Sequence, residues 1–250
     1  MKIDVYFDPV GMNPAEVQGR TVVVLDVLRA TTTIAVALDH GAKAVLPAAS
    51  TEEALRIAQN LERDDVVLAG ERKSQRIPGF TLGNSPLEFT AEAVRGKTVV
   101  LTTTNGTPAL ISAQGAREVI AGAAVNFAAV VDRCRATLAQ HGELVILCAG
   151  RERQFALEDA FAAGRLAKVL LPEGGLRSVE VNDGALAALE LARHYGERWL
   201  RAFRASSHGR ELAALGFRED VKACALENTH PILPLYADRR ITGHRSTNEG

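Results

Sequence analysis

Short apolar segments alternate with longer amphipathic ones along almost the whole chain, and this order constrains the fold more than any other feature. Segments such as Val22–Leu25 and Val145–Leu147 are apolar at every position. Such strands are covered on both faces, as in a mainly parallel sheet between two helical layers. The strand candidates are residues 3–7, 21–27, 43–47, 65–69, 97–103, 117–121, 143–149 and 177–181. The helix candidates are residues 30–40, 51–62, 86–95, 106–115, 124–140, 155–171, 183–195 and 207–215.

The alternation predicts a three-layer α/β/α fold with a largely parallel, mixed central sheet. The chain has 250 residues, 47% of them hydrophobic, which is enough to build a complete core. We find no repeat and no low-complexity linker, so we expect a single domain over residues 1–250. Residues 72–85, rich in Gly, Pro and Arg, form the longest stretch without a clear element. Loops of this length are often functional, and we expect a lid here.

Composition excludes several classes of protein. The 29 basic and 30 acidic residues provide no basic field for a nucleic-acid backbone. The 3 cysteines are widely separated, which argues against a disulfide framework or a structural zinc site. The N-terminus alternates like a strand, and no apolar stretch is long enough to cross a membrane. We therefore expect a cytoplasmic protein with no nucleic-acid or membrane partner.

Polar clusters follow several of the predicted strands. In open α/β sheets, ligands bind outside the carboxyl ends of the strands, where loops and helix N-termini meet. The clusters are Asp26–Thr33, Gly70–Arg72, Thr102–Thr107, and Cys148–Gly150 followed by Glu158 and Asp159. Carboxylates, hydroxyls, an amide and arginines would then meet at one place. This set of groups suits a metal-assisted reaction on a small anion.

The first cluster places Asp26 at the end of an apolar strand. Thr31, Thr32 and Thr33 follow it at a helix start, where hydroxyls and free amides can bind an anion. The structural alternative is an N-cap aspartate paired with Arg29. Consecutive β-branched residues are poor helix formers, and this favours the functional interpretation.

The segment Thr102–Pro108 joins a predicted strand to a predicted helix. Gly106 permits an unusual backbone conformation, and the flanking amides and hydroxyls can surround an oxyanion. The segment matches neither the phosphate-loop nor the dinucleotide-binding pattern. A simple strand-to-helix turn with threonine caps is the alternative.

The helix after Cys148 carries acids among its apolar residues. Glu158 or Asp159 falls on the same stripe as Ala162 and Leu166. The helix dipole also stabilises acids in the first turn of a helix, and this explanation of Glu158 and Asp159 is as good as metal binding. If they bind a cation, oxygen ligands of this kind suit Mg²⁺.

The sequence lacks the catalytic motifs of several known enzyme classes. A cysteine-phosphatase loop would need an arginine where Gln154 stands, so Cys148 is interpreted as a packed strand-end residue. An aspartyl-phosphate phosphatase of the haloacid dehalogenase type would need a second acid where Leu28 stands. The motifs HExxH and GxSxG are absent. The 6 histidines are dispersed, and we interpret them as surface or packing residues.

Taken together and in this order, the motifs resemble those of the 2-phosphosulfolactate phosphatase family over nearly the whole chain. The most specific parts are Gly83–Pro86 and the Thr-Asn-Gly block. The motifs are Asp26–Thr33, Gly70–Arg72, Gly79–Pro86, Thr102–Thr107, Cys148–Gly150 and Leu157–Asp159, with Ser206–Gly209, Gly216, Asp220, Cys224, Pro231 and Pro234 towards the C-terminus.

The resemblance implies a phosphatase that uses Mg²⁺ to release phosphate from 2-phospho-3-sulfolactate, a small anionic phosphoester, in coenzyme M biosynthesis. The catalytic residues that it implies are Asp26, Arg29 and Glu71. The implied substrate-binding residues are Thr31, Thr32, Arg72, Asn84, Thr104, Asn105 and Gly106. The implied metal ligands are Asp26, Glu158 and Asp159. An apolar helix at 185–191 can face the core or a second copy, so a homodimer stays open.

Two further alternatives stay open at this point. In the reaction that we expect, a carboxylate orients or deprotonates a water while Mg²⁺ neutralises the phosphate. In a covalent variant, Asp26 attacks the phosphate and forms an aspartyl phosphate. From another functional class, a binding or sensor protein for a phosphorylated or sulfonated organic acid would use the same crevice without turnover.

Overall fold

The computed structural model describes residues 1–245, apart from the side chain of Arg63. Residues 246–250, the end of the predicted domain, lie outside the described part. The strands are β1 (Lys2–Tyr6), β2 (Thr21–Leu25), β3 (Ala44–Pro47), β4 (Val66–Arg72), β5 (Gln75–Arg76), β6 (Thr98–Thr102), β7 (Glu118–Gly122), β8 (Glu143–Cys148), β9 (Glu180–Val181), β10 (Leu233–Ala237) and β11 (Arg240–His244). The helices are α1 (Ala30–Asp39), α2 (Thr51–Gln59), α3 (Ala91–Val94), α4 (Gly106–Ser112), α5 (Phe127–His141), α6 (Leu157–Leu170), α7 (Asp183–Tyr195), α8 (Trp199–Ala205), α9 (Ser207–Ala214) and α10 (Arg218–Ala223).

The strands form one 11-stranded sheet in the order β5-β4-β6-β3-β11-β10-β7-β2-β8-β1-β9. Strands β4, β6 and β3 form one parallel block, and β7, β2, β8, β1 and β9 form a second. The antiparallel hairpin of β10 and β11 lies between them and pairs antiparallel with both neighbours. The predicted three-layer fold with a largely parallel, mixed sheet is confirmed.

The twist of this sheet explains how the two blocks share a site. The successive antiparallel pairings between β7 and β3 would point the blocks in opposite directions if the sheet were flat. Neighbouring strands rotate by roughly 20–25°, so the path from β2 to β6 accumulates a rotation on the order of 100–125°. This rotation turns the carboxyl ends of the two blocks towards each other. Helices α1 and α4 consequently begin side by side: a Cβ added at Gly106 would lie 2.5 Å from the Cβ of Ala30.

Successive residues of the strands face different helical layers. On β2, Val23 and Leu25 pack with helices α5 to α10, whereas Val22 and Val24 pack with α1 and α4. In the smaller block, Val100 packs with α2 in a third apolar cluster. The continuous apolar strands of the sequence are therefore buried on both faces. Over residues 1–245, no helix has the length and apolar character needed to cross a bilayer.

All the strand candidates are present, but the sequence did not predict β5, β10 or β11. Pro234 lies inside β10, and a proline normally argues against a central strand. Helices α8 and α10 were also missed. The helix predicted for 86–95 is instead a 3₁₀ turn at Pro86–Glu88 followed by the short α3.

The expectation of a lid at 72–85 is wrong for most of this segment. Strand β5 pairs with the end of β4, and Ile77 and Phe80 are each only 6% exposed. The backbone amide of Gly70 donates to the carbonyl oxygens of Leu82 and Gly83. Buried apolar side chains and these hydrogen bonds attach the segment to the sheet.

We predict that Ile241→Ala destabilises the chain by about 2–4 kcal/mol, because it leaves a cavity in the hairpin that joins the two blocks. Ile241 is completely buried and pairs with Val45, the one residue pair between β11 and β3. Urea denaturation measures the change. Leu215→Ala, at a side chain that is 42% exposed, is the matched control and should shift the free energy of unfolding by less than about 0.5 kcal/mol. Equal losses in both variants would contradict the prediction.

Candidate active site

A cleft of about 250 Å³ lies where β2, β4 and β6 end, beside the start of α9. Of the residues predicted from the sequence, it brings together Asp26, Arg29, Glu71, Asn84 and the Thr104–Asn105 segment. The complete lining is Asp26, Leu28, Arg29, Glu71, Lys73, Ser74, Asn84, Thr104, Asn105, Arg151, Glu152, His208 and Glu211. The two parallel blocks thus contribute polar groups to one site.

Asp26 is a buried acid in the wall of this cleft. The pKa of its carboxyl is raised to about 6, mainly by burial; the charge of His208 lowers the pKa, and the negative charges of Glu71 and Glu158 contribute to the rise. A carboxyl with this pKa is mostly ionised at neutral pH and can still accept a proton. These properties suit a general base.

The threonines after Asp26 hold its backbone rather than line the cleft. The amide of Asp26 donates to the hydroxyl of Thr31 at 3.1 Å, and the hydroxyl of Thr32 donates to the carbonyl of Val27 at 2.9 Å. Both threonine side chains are fully buried. The structure therefore does not bring Thr31 and Thr32, predicted as substrate-binding residues, to the cleft, because their hydroxyls are used inside the protein.

Glu71 connects two loops of the site. Its Oε1 accepts the backbone N–H of Thr104 at 2.7 Å, and its Oε2 accepts the backbone N–H of Ser74 at 2.8 Å. Each carboxylate oxygen therefore already has a strong, charge-assisted hydrogen bond. This geometry gives Glu71, predicted to be catalytic, the role of positioning the Thr104 loop.

Arg29 is held at the cleft by a buried ion pair. Its guanidinium donates to Asp220 Oδ2 at 2.6 Å and to the carbonyl of Ser74 at 3.0 Å, and it lies 4.4 Å above the ring of Phe217. Asp220 also accepts the hydroxyl of Ser85 at 2.9 Å. The alternative pairing of Arg29 with Asp26 is therefore replaced by a pair with Asp220, which reaches Arg29 from the distant helix α10.

Arg72 is bonded to the ends of β4 and β6 and does not line the cleft among the described residues. Its guanidinium donates to the Thr102 hydroxyl at 3.0 Å and to the carbonyl of Glu71 at 2.7 Å. Arg72 is absent from the lining of the cleft among the described residues. The structure thus does not bring Arg72 to the anion, although it ties β4 to β6 beside the site.

The predicted phosphate cradle lies at the mouth of the cleft. Thr104 is exposed, and Asn105 accepts the backbone N–H of Glu152 at 3.1 Å through Oδ1. Gly106 begins helix α4, and a Cβ at this position would lie 2.4 Å from Asp26 Oδ2. Only a glycine lets the loop approach the acid so closely.

Asn84 carries a polar atom without a partner. Its side-chain Oδ1 is buried and accepts no hydrogen bond within the described residues, although Asn84 lines the cleft. An unsatisfied buried acceptor is costly and needs an explanation. A bound donor or cation in the cleft would supply the missing partner.

Glu158 and Asp159 lie next to Asp26. Asp159 accepts the backbone N–H of Val27 at 2.9 Å, and its pKa is raised by burial and by the charges of Asp26 and Glu158. Glu158 Oε1 is 3.3 Å from His208 Nδ1. Three buried acids that repel one another would be stabilised by a divalent cation.

The acids do not form a ready-made metal centre. Over residues 1–245, no group of three or more His, Cys, Asp or Glu side chains is arranged to hold an ion. The set of Asp26, Glu158 and Asp159 therefore stays a prediction. Mg²⁺ commonly takes one or two carboxylates together with waters and substrate oxygens. The oxygen donors of the cleft, including the unpartnered Oδ1 of Asn84, fit that mode.

His208, Asp220 and Glu211 were not predicted as site residues from the sequence. The interpretation of the histidines as surface or packing residues is wrong for His208, which lines the cleft with its side chain 14% exposed. The signal was present, because His208 and Asp220 belong to the C-terminal motifs of the family resemblance. Cys148 is confirmed as a packing residue: it is fully buried, and burial raises the pKa of its thiol well above the usual value.

An α/β/α fold with acids, an arginine and a glycine-containing loop around one small cleft defines an enzyme-like site for a small anion. The family model described as 2-phosphosulpholactate phosphatase matches residues 6–239. The chain therefore belongs to the 2-phosphosulfolactate phosphatase family, a family named for the hydrolysis of a phosphoric monoester, and the resemblance noted in the sequence is confirmed.

Similar proteins support the same assignment. A protein of Symbiobacterium thermophilum is 43% identical over 233 residues, covering 93% of this chain and 98% of that protein. A protein of Deinococcus radiodurans is 44% identical over 212 residues, covering 84% of this chain and 85% of that protein. One of Thermotoga maritima is 39% identical over 218 residues, covering 87% and 89%. Each bears the name probable 2-phosphosulfolactate phosphatase.

We predict that Gly106→Ala lowers the kcat/KM of phosphoester hydrolysis about 100-fold, because the added methyl group displaces the Asp26 carboxylate. Steady-state kinetics on the folded variant, checked by circular dichroism, measures the loss. Gly174→Ala is the control, since its Cβ would meet only Ser178 Oγ at 3.9 Å and should change nothing. Unchanged kinetics in a folded Gly106→Ala protein would refute the close approach.

Proposed function

We propose that the chain is an Mg²⁺-dependent phosphatase that hydrolyses 2-phospho-3-sulfolactate, or a closely related phosphorylated 2-hydroxy acid, to the hydroxy acid and phosphate. The observation that supports this most is the convergence of Asp26, Arg29 and the Thr104 loop on one small cleft in a member of this family. We further propose that the reaction serves coenzyme M biosynthesis in the cytoplasm.

Anion binding follows from the groups on the cleft wall. The substrate carries a phosphate, a carboxylate and a sulfonate, so its charge needs several donors. Arg29 is fixed by Asp220 and retains N–H groups beyond the two that bond Asp220 and Ser74. Lys73 is exposed at the rim and has no carboxylate within 4.0 Å among the described residues. The Thr104 loop adds backbone amides and a hydroxyl.

Asp26 is the residue best placed to move a proton. Its raised pKa of about 6 makes the carboxylate a stronger base than an ordinary aspartate. In the reaction that we propose, it takes a proton from the attacking water. The covalent variant uses the same carboxylate as nucleophile, and trapping an acid-stable phosphoenzyme would identify it.

Glu158 or Asp159 would hold Mg²⁺ next to Asp26, and Asn84 offers a further oxygen; where Asp26 itself holds the ion, its pKa falls and another group must act as the base. The bound ion would supply positive charge to the phosphate oxygens and acidify a water. His208 pairs with Glu158 and so limits the freedom of that acid. Glu71 holds the Thr104 amide in place, because one of its carboxylate oxygens accepts that N–H and the other accepts the N–H of Ser74.

We predict that Asp26→Asn lowers phosphate release from 2-phospho-3-sulfolactate at least about 100-fold, because the variant lacks the base. EDTA should abolish wild-type activity and Mg²⁺ should restore it; both are measured as inorganic phosphate. Asp132→Asn, an exposed acid on α5, is the matched control and should keep full activity. Stabilisation by the ligand without turnover under any metal would instead establish a binding or sensor protein.

We also predict that Mg²⁺ raises the Tm more at pH 7.5 than at pH 5. The folded pKa of Asp26 is about 6 against 3.8 for an ordinary aspartate, so the metal-free native state binds more protons between these values. Its stability therefore falls as the pH rises through this window, and the full destabilisation is present above about pH 6. A cation bound to the ionised carboxylate offsets this loss. Thermal unfolding with and without Mg²⁺ measures the difference.

The same measurement on Asp26→Asn separates this acid from the other titrating groups. The variant should lose most of the Mg²⁺ effect at pH 7.5, whereas Asp132→Asn should behave like the wild type. An equal Mg²⁺ effect at both pH values in the wild type would rule out Asp26 as the group responsible.

A further inference from the structure

A second cavity, of about 320 Å³, lies on helices α8, α9 and α10. It shares none of the lining residues of the catalytic cleft. Three arginines line it: Arg204 from α8, Arg210 from α9 and Arg218 from α10. The proposed phosphatase reaction uses none of these groups.

The three arginines of this cavity are exposed, and none of them forms an ion pair among the described residues. Helix α8 contains no acid, and the acids of α9 and α10 are bound to other cations. Glu211 pairs with Arg151 and Glu219 with Lys222, while Asp220 pairs with Arg29 in the catalytic site. Over residues 1–245, no carboxylate lies within 4.0 Å of the three cavity arginines.

The geometry favours a compact anion over a polymer. The arginines surround one concave space instead of forming a stripe, and the rest of the lining is the small or apolar set Gly209, Ala213 and Val221. Arg210 is already ordered, because it donates to the carbonyl of Ala205 and to the hydroxyl of Ser207. A guanidinium matches a phosphate group through paired N–H donors.

The tight packing of α8 against α9 gives the cavity its shape. A Cβ at Gly209 would lie 1.9 Å from the carbonyl oxygen of Phe203, so only glycine allows the two helices to approach. Arg204 lies in the last turn of α8 and Arg210 in α9, and both line the cavity. Arg218, at the start of α10, completes the group.

We propose that this cavity is an accessory binding site for a small phosphate-bearing anion, separate from the catalytic cleft. A dianion bound there neutralises guanidinium groups that have no carboxylate partner among the described residues. Inorganic phosphate and a phosphorylated carboxylic acid share the required chemistry. The proposal rests on the charges of α8 to α10 and is independent of the reaction in the cleft.

Equilibrium dialysis of the full chain with ³²P-labelled inorganic phosphate tests the proposal at fixed ionic strength, since salt screens exposed charges. The double variant Arg204→Gln/Arg218→Gln should bind one phosphate fewer per chain than the wild type. The affinity of the altered cavity for phosphate should be at least about 10-fold lower than that of the wild-type cavity. Its kcat/KM should stay within about two-fold of the wild type, because these residues do not line the cleft.

The double variant Arg193→Gln/Arg201→Gln removes the same charge from α7 and α8 outside the cavity and is the matched control. It should bind as many phosphates as the wild type. The proposal is overturned if Arg204→Gln/Arg218→Gln loses no phosphate, or if the control loses one as well. Competition with phosphonoacetate then distinguishes the two ligand classes. If phosphonoacetate displaces the labelled phosphate at a 10-fold lower concentration than unlabelled phosphate does, the site binds a phosphorylated acid. If both displace it at the same concentration, the site binds phosphate alone.

Discussion

The site depends on a buried network of charges that ties together loops from different parts of the chain. Glu71 accepts the backbone amides of Thr104 and Ser74, and the Ser74 carbonyl accepts Arg29, which in turn pairs with Asp220. Buried charges are tolerated only when they are paired and hydrogen-bonded. Because each group of the network is hydrogen-bonded to the next, loss of one group would leave its neighbour without a partner. The network therefore sets the shape of the cleft as firmly as apolar packing sets the sheet.

The same cleft keeps groups that are not satisfied. Asp26 and Asp159 have raised pKa values because they are buried beside other acids, and the Oδ1 of Asn84 has no partner in the described chain. These features reduce the stability of the folded state in the absence of a ligand. A cation bound in the cleft together with an anion would satisfy these groups. The stability of the cleft and its proposed chemistry are thus linked through the same few atoms.

Much of the central sheet could be predicted from the sequence, because runs such as Val22–Leu25 have few other ways to bury every side chain. The hairpin that joins the two blocks could not, because Pro234 in β10 argues locally against a strand. The expected lid at 72–85 was wrong for a similar reason: its turn-rich composition concealed Ile77 and Phe80, which are buried only when the segment meets the sheet. Local composition does not report contacts made with distant residues.

The sequence by itself determined the fold class, the family and the strand ends at which polar groups collect, since these follow from periodicity and from motifs within short stretches. Only the tertiary structure decided what each group does. It separated Arg29, which lines the cleft, from Arg72, which does not, and it brought His208 and Asp220 from the C-terminal helices to the site. The physical reason is that the pKa and the bonding of a side chain depend on neighbours that are distant in the chain and near in space.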